Sequence, residues 1–272
     1  SINLPSSHFV SEKSIFFSEN SASDMLSIGN TEISNSSFIG YDKTLSSTGI
    51  KISGRAGYNI GGNTNISYST LLNFNSGLVF DGKNTISIAN NNILSNSLYN
   101  VKNNTSSDLI LENNYWGTST EAEIQNLLYD SNEDVDKGTV DYTPFLTSLN
   151  IEAPISPPSN VTKSVTGSDV VLNWSANGES DIAGYKLHYG SPTGYSYATS
   201  VDLGNVTNYT ITGGDFDIEY SITAYDINLD GTDDMVDGNE SWYSIANNFS
   251  PIAVADTATV LEDANTTAIN VI

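Results

Sequence analysis

One spacing constrains this chain more than any other. Four stretches place an apolar residue five positions after another, with Asn or small polar residues between. They are Ile33-Ser-Asn35-Ser-Ser-Phe38, Ile66-Ser-Tyr68-Ser-Thr-Leu71, Ile88-Ala-Asn90-Asn-Asn-Ile93 and Leu111-Glu-Asn113-Asn-Tyr-Trp116. Their starts lie 33, 22 and 23 residues apart. A second short strand follows in most of them, as in Gly49-Ile50-Lys-Ile52, Gly77-Leu78-Val-Phe80 and Ser97-Leu98-Tyr-Asn-Val101. Units this short cannot bury an apolar face alone, so they must stack on one another.

A period near 22 with two or three short strands fits one coil of a right-handed parallel β-helix. Asn at matched positions of successive coils can then stack as a hydrogen-bonded ladder at a turn, where Asn also tolerates left-handed backbone angles. The competing reading is a long antiparallel sandwich with Asn-rich loops, and the repeated offset argues for the solenoid. The phrases Asn113-Asn114-Tyr115-Trp116-Gly117-Thr118 and Val140-Asp-Tyr142-Thr-Pro144-Phe145-Leu146 strengthen that reading. With them, residues 1–149 resemble the parallel β-helix repeat proteins of the pectate-lyase-like superfamily. The resemblance implies an architecture, not an activity.

Leu109 to Leu146 reads as the end plug of this solenoid. It begins as one more strand, breaks into a short amphipathic helix and ends extended. Thr120 with Glu123 forms a capping box, with Ser119 as an alternative N-cap. Ile124, Leu127 and Leu128 form its apolar face. Tyr115 and Trp116 are large enough to cover the last coil, and the acids from Asp130 to Asp136 form a solvated turn.

Residues 150–158 contain Pro154, Pro157 and Pro158 and predict a stiff, extended linker. Alternating runs follow at regular spacing, which imply a β-sandwich over 159–247. They include Val170-Val-Leu172-Asn-Trp174, Ala183-Gly-Tyr185-Lys-Leu187-His-Tyr189 and Glu219-Tyr220-Ser-Ile222-Thr-Ala224-Tyr225. This pattern resembles a fibronectin type III domain from Ser159 to Asn247. The resemblance implies a core role for Trp174 and Tyr185 and a tyrosine corner at Tyr220. His188 has the parity of a surface residue. Residues 248–272 resemble the start of a cadherin-like or immunoglobulin-like bacterial tandem repeat, so the chain reads as a fragment of a larger protein.

The sharpest chemical motif is Asp226-Ile-Asn228-Leu-Asp230-Gly231-Thr232-Asp233-Asp234-Met-Val-Asp237, which matches the start of a calcium loop. Oxygens of Asp226, Asn228, Asp230, Thr232, Asp234 and Asp237 are the expected calcium ligands, and Gly231 permits the sharp turn. No helical pattern flanks it, and Asp stands where the longer bidentate Glu is usual. The expectation is a calcium-stapled loop between two sandwich strands.

Nine basic residues against thirty-two acidic ones give a net charge of −23, which argues strongly against nucleic acid and anionic membrane surfaces as partners. The absence of Cys excludes disulfides and thiolate metal sites and is compatible with a secreted, extracellular or cell-surface protein. No run reaches the length of a membrane span. A polysaccharide lyase needs a Lys or Arg base. Lys51 and Arg55 are near in sequence, beside Lys13, Lys43, Lys83 and Lys102. A glycosidase needs paired carboxylates, and Glu32, Asp42 and Asp81 are scattered. No catalytic residue is nominated. The leading reading is a non-catalytic structural or adhesive segment of a large secreted or surface bacterial protein, with polysaccharide or surface-protein partners. The alternative is the C-terminal portion of a secreted polysaccharide lyase or other carbohydrate-active enzyme whose active coils lie upstream.

Overall fold

The computed structural model describes residues 2–18, 24–40, 46–53, 62–82, 84–190, 196–228 and 234–248. Among them the protein is all-β, with helix confined to Glu121–Asn126 and Asp234–Asp237. Residues 249–272, which hold most of the expected third module, lie outside the described residues.

Among the described residues of the N-terminal unit every strand pairing is parallel. One four-stranded sheet runs Ile15–Ser18, Ser37–Gly40, Thr70–Leu72, Asn92–Leu94. A larger sheet holds two stacks joined by the long strand Asp24–Ser34, which pairs Thr48–Ile52 through its first half and Asn63–Ser67 through its second. The repeat explains this stacking. Its first positions, Ile33, Ile66, Ile88 and Leu111, and its last, Phe38, Leu71, Ile93 and Trp116, are all buried in one core. Below them Phe16 stacks on Phe38 with ring centroids 4.5 Å apart.

Between these two apolar columns runs a polar one. The Ser14 N–H donates to Ser36 Oγ at 3.3 Å, Ser36 N–H to Ser69 Oγ at 3.2 Å, Ser69 N–H to Asn91 Oδ1 at 2.9 Å and Asn91 N–H to Asn114 Oδ1 at 3.0 Å. The steps are 22, 33, 22 and 23 residues. Ser36, Ser69, Asn91 and Asn114 are wholly buried. Each preceding residue, Lys13, Asn35, Tyr68, Asn90 or Asn113, has a positive φ between 45° and 63°. That left-handed residue turns the chain so that the next side chain points inward, and Asn carries the conformation most easily. The Asn91 and Asn114 amides also reach back to the carbonyls of Ile66 and Ile88 at 2.9 and 2.8 Å. A buried N–H left unsatisfied costs about 1–3 kcal/mol, so this ladder specifies register as well as holding the layers together.

The stretch from Leu109 differs from the expected plug in its strand pairings. Leu128–Tyr129 pairs with Tyr99–Asn103, Val140–Asp141 with Leu109–Ile110, and Leu146 bridges Tyr115. These pairings add one more partial layer, so Trp116 sits inside the stack and not on top of it. Ile124 of the helix is buried there, and Tyr142 and Phe145 pack half-buried against the core. The expected capping box is also absent. Thr120 is the N-cap, but its side chain makes no capping bond, and Glu123 instead accepts from the Thr118 hydroxyl.

The C-terminal unit is a sandwich of two four-stranded sheets. One runs Asn208–Ile211, Asp169–Ser175, Ser159–Thr166, Asn247–Asn248, and the other Thr199–Gly204, Ile182–Tyr189, Tyr220–Asp226, Ser244–Ile245. Trp174, Tyr185, Leu187, Tyr220 and Ile222 fill the space between. The Tyr220 hydroxyl donates to the Asp215 carbonyl at 3.0 Å, which pins the turn five residues upstream.

The proline segment does not span a gap. Asn92 and Asn150 exchange two hydrogen bonds, the Thr70 hydroxyl donates to the Pro154 carbonyl at 2.7 Å, and Ala153 and Ile155 are buried. On its other side Ser156 N–H donates to Glu179 and Asn177 donates to the Ser156 carbonyl. The segment is a strap docked on both units.

Candidate functional site

The acidic loop leaves strand Tyr220–Asp226 and returns at Asn239. Its neck is closed by the Asp226 N–H on the Asn239 carbonyl at 3.0 Å and the Asn239 amide on the Asn228 carbonyl at 3.3 Å. Asp226 is 4% exposed, and its Oδ1 accepts from the Asn228 N–H at 2.7 Å. Burial pushes the Asp226 carboxyl up, with Asp181 and Asp234 adding to the rise. Asp181 stands just before Ile182, the residue opposite Asp226 in the sheet. One carboxylate oxygen each of Asp181 and Asp234 is buried without a hydrogen-bond partner.

Of the six expected calcium ligands, Asp230 and Thr232 lie outside the described residues, as do Gly231 and Asp233. Asn228 is at the neck. Asp237 points elsewhere, since its carboxylate is ion-paired with Lys13 of the N-terminal unit at 2.8 Å. Among the described residues no three acidic or histidine side chains form a group that could hold a metal ion. Asp181, which no spacing in the loop signals, takes the flank nearest Asp226.

Beside this loop lies a buried charge cluster. Lys186 and His188 alternate outward from strand Ile182–Tyr189, and Thr223 does so from Tyr220–Asp226. Glu240 accepts from Lys186 Nζ at 2.5 Å and from the Thr223 hydroxyl at 2.6 Å. The Thr223 oxygen then accepts from His188 Nε2 at 2.9 Å. Burial would push the Glu240 carboxyl up, but hydrogen bonds from His188, Lys186 and Thr223 hold it at about 2. His188 is 6% exposed, not the surface residue its parity suggests. The parity is right, but Tyr243 meets His188 edge-on at 5.0 Å and Tyr197 lies at 5.9 Å, so the outward face is covered.

Among the described residues the candidate basic groups of the N-terminal unit do not converge on a free base. Lys51 is ion-paired with Asp81 at 2.8 Å. Burial works to raise the Asp81 carboxyl, but hydrogen bonds from Lys51 and Asn104 hold it below the usual range. Val79 separates Lys51 from Lys102 in register, and Lys102 lies 5.3 Å from the centre of the Tyr129 ring. Arg55, Lys43, Lys83 and Asp42 lie outside the described residues.

The family comparison decides the second unit. Residues 156–241 match the fibronectin type III domain. The C-terminal sandwich is a fibronectin type III domain. Among similar solved structures, the spore cortex lytic enzyme SleM of Clostridium perfringens is 25% identical over 35% of this chain and 29% of its own, with a TM-score of 0.25. A fibronectin type III-like protein of Clostridium thermocellum is 19% identical over 36% of this chain and 97% of its own, with a TM-score of 0.25. A human fibronectin type III domain is 16% identical over 42% of this chain and 86% of its own, with a TM-score of 0.23. This chain therefore spans less than a third of the length of the Clostridium perfringens enzyme. No curated protein matches the chain. The fibronectin type III domain is a structural or binding module, and the charge cluster and acidic loop belong to it.

Proposed function

We propose that the chain is a non-catalytic structural and adhesive segment of a large secreted or cell-surface bacterial protein, binding glycans or partner proteins. Its residues 1–149 are read as right-handed parallel β-helix coils, with the fibronectin type III domain strapped to their side. The observation that carries this reading is the Ser14–Ser36–Ser69–Asn91–Asn114 ladder. The most regular polar side chains of the repeat face inward and hold the stack, and Lys51 is neutralised by Asp81. Incubation with polygalacturonate and alginate is expected to produce no rise in the ultraviolet absorbance of unsaturated uronides, and no new reducing ends. Cleavage of either polymer, lost on Lys51→Ala, would instead favour the carbohydrate-active enzyme reading.

Calcium at the acidic loop belongs to the same proposal. Asp226, Asn228 and Asp234 would hold the ion together with the loop oxygens at 230 and 232, with Asp237 paired instead to Lys13. The support is the buried Asp234 carboxylate oxygen without a hydrogen-bond partner, whose charge acts on the buried Asp226 carboxyl. A cation there would supply charge compensation and loop order, not chemistry. Free ligand at a hundredfold its Kd stabilises by about 2.7 kcal/mol. Millimolar calcium is expected to raise the Tm of the fibronectin type III domain by several degrees, with no effect from magnesium. The Asp226 carboxyl is raised, so stability from its neutral form is present below the ordinary value of 3.8 and lost as pH rises through the raised one. Asp226→Asn should therefore raise Tm without calcium and abolish the calcium increment. An unchanged Tm across a calcium titration would remove the ion from the account.

A further inference from the structure

A cleft of about 510 Å³ opens where the two units meet. Its N-terminal wall holds Phe17 and Asn73, the proline strap contributes Pro157 and Pro158, and the fibronectin type III domain contributes Tyr243 and Asn247. The rings form a continuous run across the joint. Phe17 lies 5.7 Å from Trp242, and Trp242 lies 5.2 Å from Tyr243. This volume falls within the range of about 300–1,000 Å³ usual for small-molecule sites.

The chemistry of the walls is selective. Among the described residues no Asp, Glu, Lys, Arg or His lines the cleft, although the chain carries 9 basic and 32 acidic residues. Asn73 is half-buried at φ 64°, and the Asn73 and Asn247 carboxamides take no hydrogen bond from the described residues, whereas the ladder amides Asn91 and Asn114 are fully engaged. Aromatic and proline faces beside uncommitted carboxamides suit a ligand with a flat C–H flank and a rim of hydroxyls. Carboxamides donate and accept at once, as vicinal hydroxyls require. A net charge of −23, with no cation among the described wall residues, disfavours uronates and phosphorylated ligands.

We propose that this junction cleft binds an uncharged saccharide, the pyranose ring lying against Phe17, Tyr243 and the strap prolines and its hydroxyls meeting Asn73 and Asn247. The site rests on the glycan-binding part of the proposed function. It does not depend on the absence of catalysis. The site exists only while the strap holds the two units together.

The test is a calorimetric titration of the full chain with cellohexaose, xylohexaose, chitohexaose and, as the charged control, hexagalacturonate. Saturable binding of at least one neutral hexaose and none of hexagalacturonate is expected. The double variant Asn73→Gly, Asn247→Ala should weaken it at least tenfold, since Gly accepts the positive φ without strain. Ser159→Trp, which fills the cleft from a position on the exposed start of its strand, should abolish binding with the melting temperature unchanged. No saturable neutral ligand, preference for hexagalacturonate, or binding indifferent to both variants would overturn the proposal. None of those results would bear on the depolymerisation assay, so the two readings fail separately.

Discussion

Trp116→Ala is expected to destabilise the N-terminal unit by about 3–5 kcal/mol and to leave the fibronectin type III domain folded. Trp116 is wholly buried at the last position of the final repeat, and the Asn100 amide donates to its carbonyl at 2.8 Å. Deleting the indole opens a cavity between that layer and the partial layer of Leu128 and Val140. Neither neighbouring layer can collapse into it, because each strand is held in register by its own parallel partners. The loss should appear as an earlier first transition in a calorimetric scan. The second transition should move little, because the sandwich has a separate core. A single transition at the wild-type temperature would show that Trp116 does not hold the stack.

Glu240→Ala is expected to cost the fibronectin type III domain about 3–5 kcal/mol, toward the lower end because Lys186 keeps some access to water. The substitution leaves the Lys186 ammonium and the Thr223 hydroxyl without their acceptor on a covered sheet face. The pH dependence carries a sign that a packing defect would not. The Glu240 carboxyl is lowered from 4.5 to about 2, so its contribution is present above about pH 4.5 and lost as pH falls toward 2. A shift of that size corresponds to roughly 3 kcal/mol. The wild-type domain should lose stability steeply across that window, and Glu240→Ala should show a flatter profile. Parallel profiles for the two proteins would place the acid sensitivity elsewhere.

The repeat was legible because its physics is local. Ile33 and Phe38 face inward five residues apart only if the chain turns between them, and Asn35 marks that turn. The same reasoning reached the turns at Asn90 and Asn113 but could not see that Ser14, Ser36 and Ser69 continue the column of Asn91 and Asn114, since serines are everywhere in this chain. Trp174, Tyr185 and Tyr220 were legible for a similar reason, as alternation and turn spacing define a sandwich core. What escaped is tertiary. Nothing in Pro154–Pro158 announces that Thr70 and Asn92 will hold the strap. His188 has the parity of a surface residue and becomes buried only because Tyr197 and Tyr243 close over it. Glu240 follows the acidic loop, and no spacing announces its meeting with Lys186, which depends on where that loop returns. Asp237 matched a ligand position in the motif, yet Lys13 from the other unit holds its carboxylate.

One buried polar ladder locks the repeats of the N-terminal unit into a scaffold. Site-resolved amide hydrogen exchange at Ser14, Ser36, Ser69 and Asn91, in the wild type and in Trp116→Ala, tests it most directly. These four N–H groups donate to side chains of the next layer, so their protection reports the ladder itself. Slow exchange is expected at all four sites in the wild type, with loss of protection in the variant beginning at Asn91. Fast exchange at these amides in the wild type, while neighbouring strand amides stay protected, would contradict it.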